Sequence, residues 1–203
     1  MVEIRIHGRG GQGVVTASDL IAHAAFAEGK YAQAFPSFGS ERTGAPVVAY
    51  CRVREEEIRS REPVLKPDLV IVQDPTLLGT VDVFKGLNKQ GYVLLNSSKR
   101  TAELGLTELQ ESMPLGHFMT VPAADIARKH TGRTVPNAVL LGAAAALTGL
   151  YRMDSVSEAI MNRFPGKVGE MNVAAAQEAY DLIIQKREAL NQGEDAGKEA
   201  VDA

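Results

Sequence analysis

The stretch HGRGGQGVVTASDLIAHAA, His7–Ala25, constrains this chain more than any other. Glycines at 8, 10, 11 and 13 follow a short alternating segment, VEIRI (2–6), that reads as a strand. Beyond them Val15, Leu20, Ile21, Ala24 and Ala25 fall close to helical spacing, with Gly29 as a helix stop. YAQAFP (31–36) reads as the next strand, so the chain opens as strand, helix, strand, the start of a βαβ unit. Gly8, Gly10 and Gly13 satisfy G-x-G-x-x-G in the strand–loop–helix setting that this pattern needs. Glycine permits positive φ and close approach of a ligand, and a helix N-terminus presents free N–H groups to an anion. Arg9 adds a cation to the same loop.

Three readings of the loop compete. It cradles a dinucleotide, it holds a phosphate or carboxylate of another ligand, or it is a tight turn packed against a neighbour. A dinucleotide site wants Asp or Glu about 20 residues on, at the end of the second strand, to hold the ribose. That strand ends QAFPSFG, and the nearest acid, Glu41, lies inside the following loop. The missing carboxylate argues against NAD. The other two readings stay open.

The loop SFGSERTGAP (37–46) places Ser40, Glu41, Arg42 and Thr43 between two glycines. It is either a surface loop with a local ion pair or a loop reaching an active site or a partner subunit. VVAYCRV (47–53) reads as a strand and REEEIRSREP as a solvated charged segment. DLVIVQD (68–74) and YVLLNS (92–97) are apolar runs ending in polar residues, as expected of strands buried on both faces. Pro75 opens an expected helix over about 75–90. HFMTVP (117–122) and AADIARKH (123–130) give a further strand and helix. PNAVLLGAAAALTGLY (136–151) is too apolar to face water and reads as an internal or inter-subunit helix. Asn137 at its start suits first-turn hydrogen bonding. Ser155 with Glu158 suggests a capping box. A long last helix spans 167–190 with a break near Gly169.

Together these predict one α/β domain over residues 1–190: a mostly parallel sheet flanked by helices, with a helical C-terminal third. Residues 191–203 form a polar, acidic tail expected to be disordered. In such sheets ligands sit at the carboxyl ends of the strands. This brings the glycine loop, the Asp74–Pro75 turn and the Asn96–Ser97–Ser98 turn to one edge.

What is missing also narrows the function. A net charge of −3 gives no basic field for nucleic acid, and the absence of Trp disfavours stacking platforms. No apolar run reaches the roughly 18 residues of a membrane span, and the N-terminus has no signal-peptide core, so a cytoplasmic protein is expected. A lone cysteine, Cys51, cannot form an internal disulfide, a cluster or a thiolate zinc site; a buried strand residue is its expected role. His7, His23, His117 and His130 lack metal-ligand spacing, and only His7, at the mouth of the glycine loop, invites a functional role. No Ser–His–Asp order, nucleophile elbow or P-loop lysine is present. The chain has an anion cradle and a charged loop but no acid–base pair, as expected of a subunit that completes another chain's active site.

The segments GRGGQGVVTASDLIAHAA, GKYAQAFPSFGSERTGAPVVAYCRV, DLVIVQD and PNAVLLGAA together resemble the gamma subunits of 2-oxoacid:acceptor oxidoreductases, over roughly residues 1–185. ERTGAP is similar to the pyruvate, branched-chain and aryl-oxoacid (phenylglyoxylate) branch, where the 2-oxoglutarate branch tends to read RGG. The resemblance implies a complex that decarboxylates a 2-oxoacid on thiamine diphosphate with Mg and forms an acyl-CoA. Electrons then pass through [4Fe–4S] clusters to ferredoxin or NAD. It implies alpha, beta and ferredoxin-like delta subunits as partners, with FAD or NAD in an additional subunit of some members, and no cofactor held firmly by this chain. Gly8, Arg9, Gly10, Gly11, Gln12 and Gly13 match the family's glycine loop, and Ser40, Glu41, Arg42, Thr43 and Gly44 its charged loop. Both are expected to face the catalytic subunits or coenzyme A. The alternatives are a stand-alone nucleotide-binding protein and a purely structural subunit.

Overall fold

A computed structural model describes residues 1–37 and 43–199, with side chains through 192. Six strands form one sheet: β1 (Val2–Arg9), β2 (Tyr31–Pro36), β3 (Pro46–Arg54), β4 (Leu69–Val72), β5 (Tyr92–Asn96) and β6 (Phe118–Val121). Their order across the sheet is β2-β3-β1-β4-β5-β6. β1, β4, β5 and β6 pair in parallel, while β3 runs antiparallel to both β1 and β2. The expected mostly parallel α/β sheet is therefore present, with one difference at its start. β1 and β2 do run the same way around α1 (Val14–Ala27), but β3 returns between them. A hairpin-like return from β2 can fill that gap because a short loop suffices for an antiparallel neighbour.

Alternation along each strand sorts the core into two layers. Ile4, Ile6, Ala49, Cys51, Leu69, Ile71 and Leu94 face the long helices. These are α1, α3 (Ala123–Thr131), α4 (Asn137–Thr148), α5 (Met153–Arg163) and α6 (Lys167–Glu199). Val70, Val72, Val93 and Leu95 face the other way, beneath short turns and α2 (Thr107–Glu111). α4 is buried from Asn137 through Leu147, so it is an internal helix. Its Gly142 makes this possible: an added Cβ would lie 2.2 Å from the Ala176 carbonyl oxygen of α6. Arg187 of α6 then donates to the Ala146 and Leu147 carbonyls at the far end of α4.

Three local expectations are corrected. The helix expected over 75–90 is only a 3-10 turn, Pro75–Gly79. Beyond it Arg5, buried in β1, takes the Val83 and Lys85 carbonyls that a helix would have used, and also Val64. α5 begins at Met153, with Arg152 as its N-cap, so Ser155 lies inside the first turn and no Ser155–Glu158 box forms. Glu28, just past α1, does the capping instead. Its Oε1 accepts from Arg152 N at 2.9 Å and from Ser155 Oγ at 2.6 Å. The break near Gly169 is absent, because α6 starts at Lys167 and Gly169 sits in its first turn with no room for a Cβ against the Phe164 carbonyl. The backbone of α6 continues past residue 190 to Glu199. No helix among the described residues is long and apolar enough to cross a membrane.

Candidate functional site

The strand order changes direction at β1: the chain leaves it through α1 toward β2 and β3, then crosses to β4 on the other side. Ligands in open α/β sheets sit at such switch points, outside the carboxyl ends of the strands. Three segments meet there: the glycine loop after β1, the Gln73–Asp74–Pro75 turn after β4, and Asn96 at the end of β5.

The glycines are needed for two separate reasons. Gly13 is the N-cap of α1 at φ 74°, a conformation that side chains rarely adopt. Gly8 has an ordinary φ but no space, since a Cβ would lie 2.6 Å from Val14 Cγ2. Gln12 then folds back across the turn. Its Oε1 accepts from Arg9 N at 2.7 Å and its Nε2 donates to Asp74 Oδ2 at 2.7 Å.

Arg9 is committed to the protein. Its Nε lies 3.2 Å from Asp74 Oδ2, its Nη2 donates to Thr76 Oγ1 at 2.8 Å, and its Nη1 donates to the Gly44 carbonyl at 3.1 Å. The guanidinium thus ties three loops together instead of standing ready for an anion. Asp74 also accepts from Thr76 N at 2.9 Å, capping the 3-10 turn. Burial pushes the Asp74 carboxyl up, but hydrogen bonds from Thr76 and Gln12 outweigh it and hold the group below the usual carboxylate range. Asn96 has a similar positioning role at the end of β5: it donates to the Gln73 carbonyl and accepts from Ala124 N at the start of α3.

Of the charged loop, Ser40, Glu41 and Arg42 lie outside the described residues. Thr43 bridges to Gly10, Gly10 N donates to the Ala45 carbonyl at 2.9 Å, and Gly44 N donates to the Gly10 carbonyl at 3.1 Å. The two sequence-predicted loops are therefore neighbours through Thr43–Ala45. His7 is not a member of this edge. It lies on the opposite face with Arg5, whose Nε donates to His7 Nε2 at 3.0 Å. Burial, with the nearby Arg5 charge, lowers its pKa to about 4, so the ring is neutral.

What remains available to a ligand is backbone and cleft. Gly13 supplies no side-chain cap, so the N–H groups of Val14, Val15 and Thr16 have no protein partner among the described residues. A cleft of about 330 Å³ lies over this first turn, and one of about 420 Å³ adjoins it. The second is walled by Val135, Phe164, Val168 and Met171, with Asn137 and Arg133 among its polar groups. Val135 and Val168 carried no recognisable motif, because they come from the loop before α4 and the first turn of α6; Asn137 was read as a first-turn residue of α4 and lies on this cleft as well. A third cleft, about 300 Å³, holds the Gln73 side chain, buried with both amide atoms unpartnered among the described residues. Among the described residues no three His, Cys, Asp or Glu side chains are grouped to hold a metal. Cys51 is buried in β3 and burial pushes its thiol far up.

This is an α/β domain whose glycine-loop edge presents unpartnered backbone N–H groups beside the Arg9–Asp74 ion pair. The family model for pyruvate ferredoxin/flavodoxin oxidoreductase matches residues 3–182, and the chain belongs to that family. It is 48% identical over 184 residues to the pyruvate/ketoisovalerate oxidoreductases common subunit gamma of Thermococcus kodakarensis, covering 91% of this chain and 98% of that one. It is also 48% identical to pyruvate synthase subunit PorC of Methanothermobacter marburgensis, over 90% of this chain and 98% of the relative. The crystal structure of the pyruvate oxidoreductase subunit PORC from Thermotoga maritima superposes with a TM-score of 0.74 at 36% identity, covering 89% of this chain and 95% of that one.

Proposed function

We propose that this chain is the gamma subunit of a multi-subunit, cytoplasmic 2-oxoacid oxidoreductase acting on pyruvate or a branched-chain or aryl 2-oxoacid. Its partners are alpha, beta and ferredoxin-like delta subunits, which carry thiamine diphosphate with Mg and the [4Fe–4S] clusters. Thiamine diphosphate supplies the electron sink for decarboxylation, and the clusters conduct electrons to ferredoxin or NAD. The acyl group leaves on coenzyme A. Two features support this reading: near-full-length identity to gamma subunits, and the absence from the sequence of the cysteines that clusters would need.

Within the complex, the glycine-loop edge takes the phosphate-bearing end of coenzyme A. The observation that carries this is the uncapped first turn of α1 beside a cleft with apolar walls and Arg133. Val14, Val15 and Thr16 N–H groups suit phosphate oxygens, and the walls suit a planar base. Thr43 of the charged loop borders the same edge, and the function we assign to that loop is to meet the catalytic subunits. A structural role for the glycine loop has one observation in its favour, the bonds from every guanidinium nitrogen of Arg9 to protein partners.

Thr16→Asp separates the two in the reconstituted complex. A carboxylate in the first turn favours the helix and so preserves the fold, but repels a phosphate. The expected result is a coenzyme A KM raised about tenfold, with kcat and the 2-oxoacid KM little changed. An unchanged coenzyme A KM in a fully assembled complex refutes the phosphate assignment and leaves the loop structural.

A further inference from the structure

β6 is an edge strand, and between it, the turn at Thr101 and the C-terminal half of α6 lies a cleft of about 380 Å³ far from the glycine loop in the sheet order. Its walls are Phe118, Met119, Ala189 and Leu190. Its polar groups include two cations, Lys186 and Arg100, beside Gln110, Thr101 and Thr120. Lys186 reaches in from α6, and its Nζ donates to the Thr120 carbonyl at 2.8 Å, with no other partner among the described residues. Gln110 has its Oε1 taken by the Thr101 hydroxyl, so its Nε2 is the group left to offer. Arg100 stands at the mouth with Glu103. Among the described residues no carboxylate lines the cleft, and the partner of Lys186 is the neutral Thr120 carbonyl.

A half-buried ammonium with one neutral partner is under-compensated. Burial accordingly pulls the Lys186 pKa down. The complement of a half-buried ammonium and an amide N–H lining an apolar cleft is an accepting, anionic group on an apolar body. We infer that this cleft binds a short aliphatic carboxylate, its oxygens on Lys186 Nζ and Gln110 Nε2 and its alkyl group against Phe118 and Leu190. The site is independent of the glycine-loop edge, so the coenzyme A assignment can fail without affecting it.

The test uses the full chain and the probe 2-methylpropanoate, with its neutral, similarly shaped amide as comparison. Methyl NMR signals of Met119 and Leu190 report occupancy. The carboxylate is expected to give saturable shifts and to raise the Lys186 pKa, and the amide to bind about tenfold or more weakly, the ratio of one charge-assisted hydrogen bond. Lys186→Met is expected to lose the same factor. Leu190→Glu, one turn along α6, places an internal carboxylate against Lys186 and is expected to abolish binding while leaving the helix intact. Equal binding of acid and amide, unchanged affinity in Lys186→Met, retained binding in Leu190→Glu, or no saturable shift at all overturns the inference. Lys186 is then only a cap on the free edge of the sheet.

Discussion

A double-mutant cycle on Arg9 and Asp74 decides whether the arginine of the glycine loop is a clamp or a ligand for anions. Their closest approach is 3.2 Å, with side-chain exposures of 28% for Arg9 and 12% for Asp74. Two unit charges about 4 Å apart interact by about 4 kcal/mol at an effective dielectric constant of about 20, before desolvation and side-chain ordering are subtracted. Exposed pairs retain about 0.2–1 kcal/mol of this, and removing one partner of a buried pair costs about 3–5 kcal/mol. This pair lies between those limits, and the shared contacts to Thr76 add to it, so a coupling of about 1–2 kcal/mol is expected. The perturbations are Arg9→Met and Asp74→Asn, singly and together, measured by urea unfolding with unchanged m-values. Asp74→Asn alone is expected to cost about 2 kcal/mol, because one of its oxygens becomes an amide facing donors already in place. A coupling below about 0.5 kcal/mol refutes the clamp and returns Arg9 to the set of anion ligands.

Two further outcomes follow from packing and capping. Gly142→Ala gains about 1 kcal/mol of helix propensity but drives a Cβ to 2.2, 2.7 and 2.9 Å from Ala176 O, C and Cα, so a net loss of about 1–3 kcal/mol is expected. Calorimetry should show Tm lowered by about 2–4 °C per kcal/mol, whereas Gly79→Ala, where nothing lies within 4 Å, should leave it almost unchanged. Glu28→Gln is expected to destabilise the chain by about 1–3 kcal/mol at neutral pH, since hydrogen bonds from Ser155 and Arg152 hold the Glu28 carboxyl at about 2. A depressed pKa contributes stability that is present above the ordinary carboxylate range and lost as pH falls through about 2, so wild type and variant should converge in acid. Equal stabilities at neutral pH would remove Glu28 as the cap of α5.

The pattern of apolar runs ending in polar residues was enough to locate the strands, because a strand buried on both faces shows itself locally as a continuous apolar segment. The burial of α4 was equally legible, since a helix apolar on every side has no face to give to water. The glycine spacing located the turn and the start of α1, for the same local reason: glycine takes φ 74° at residue 13 without the strain that a side chain would incur. What the sequence could not show were partners distant along the chain. β3 entering between β1 and β2, Glu28 capping α5 across 127 residues to Ser155, and Arg5 taking the Val83 and Lys85 carbonyls are all long-range choices. The role of Arg9 belongs with them. From the sequence it was a cation beside a helix N-terminus; the tertiary structure commits its hydrogen bonds to Asp74, Thr76 and Gly44. Local propensity determines which elements form and where they turn, but the pairing of a charge depends on which loops the fold brings within about 4 Å, and only the assembled sheet decides that.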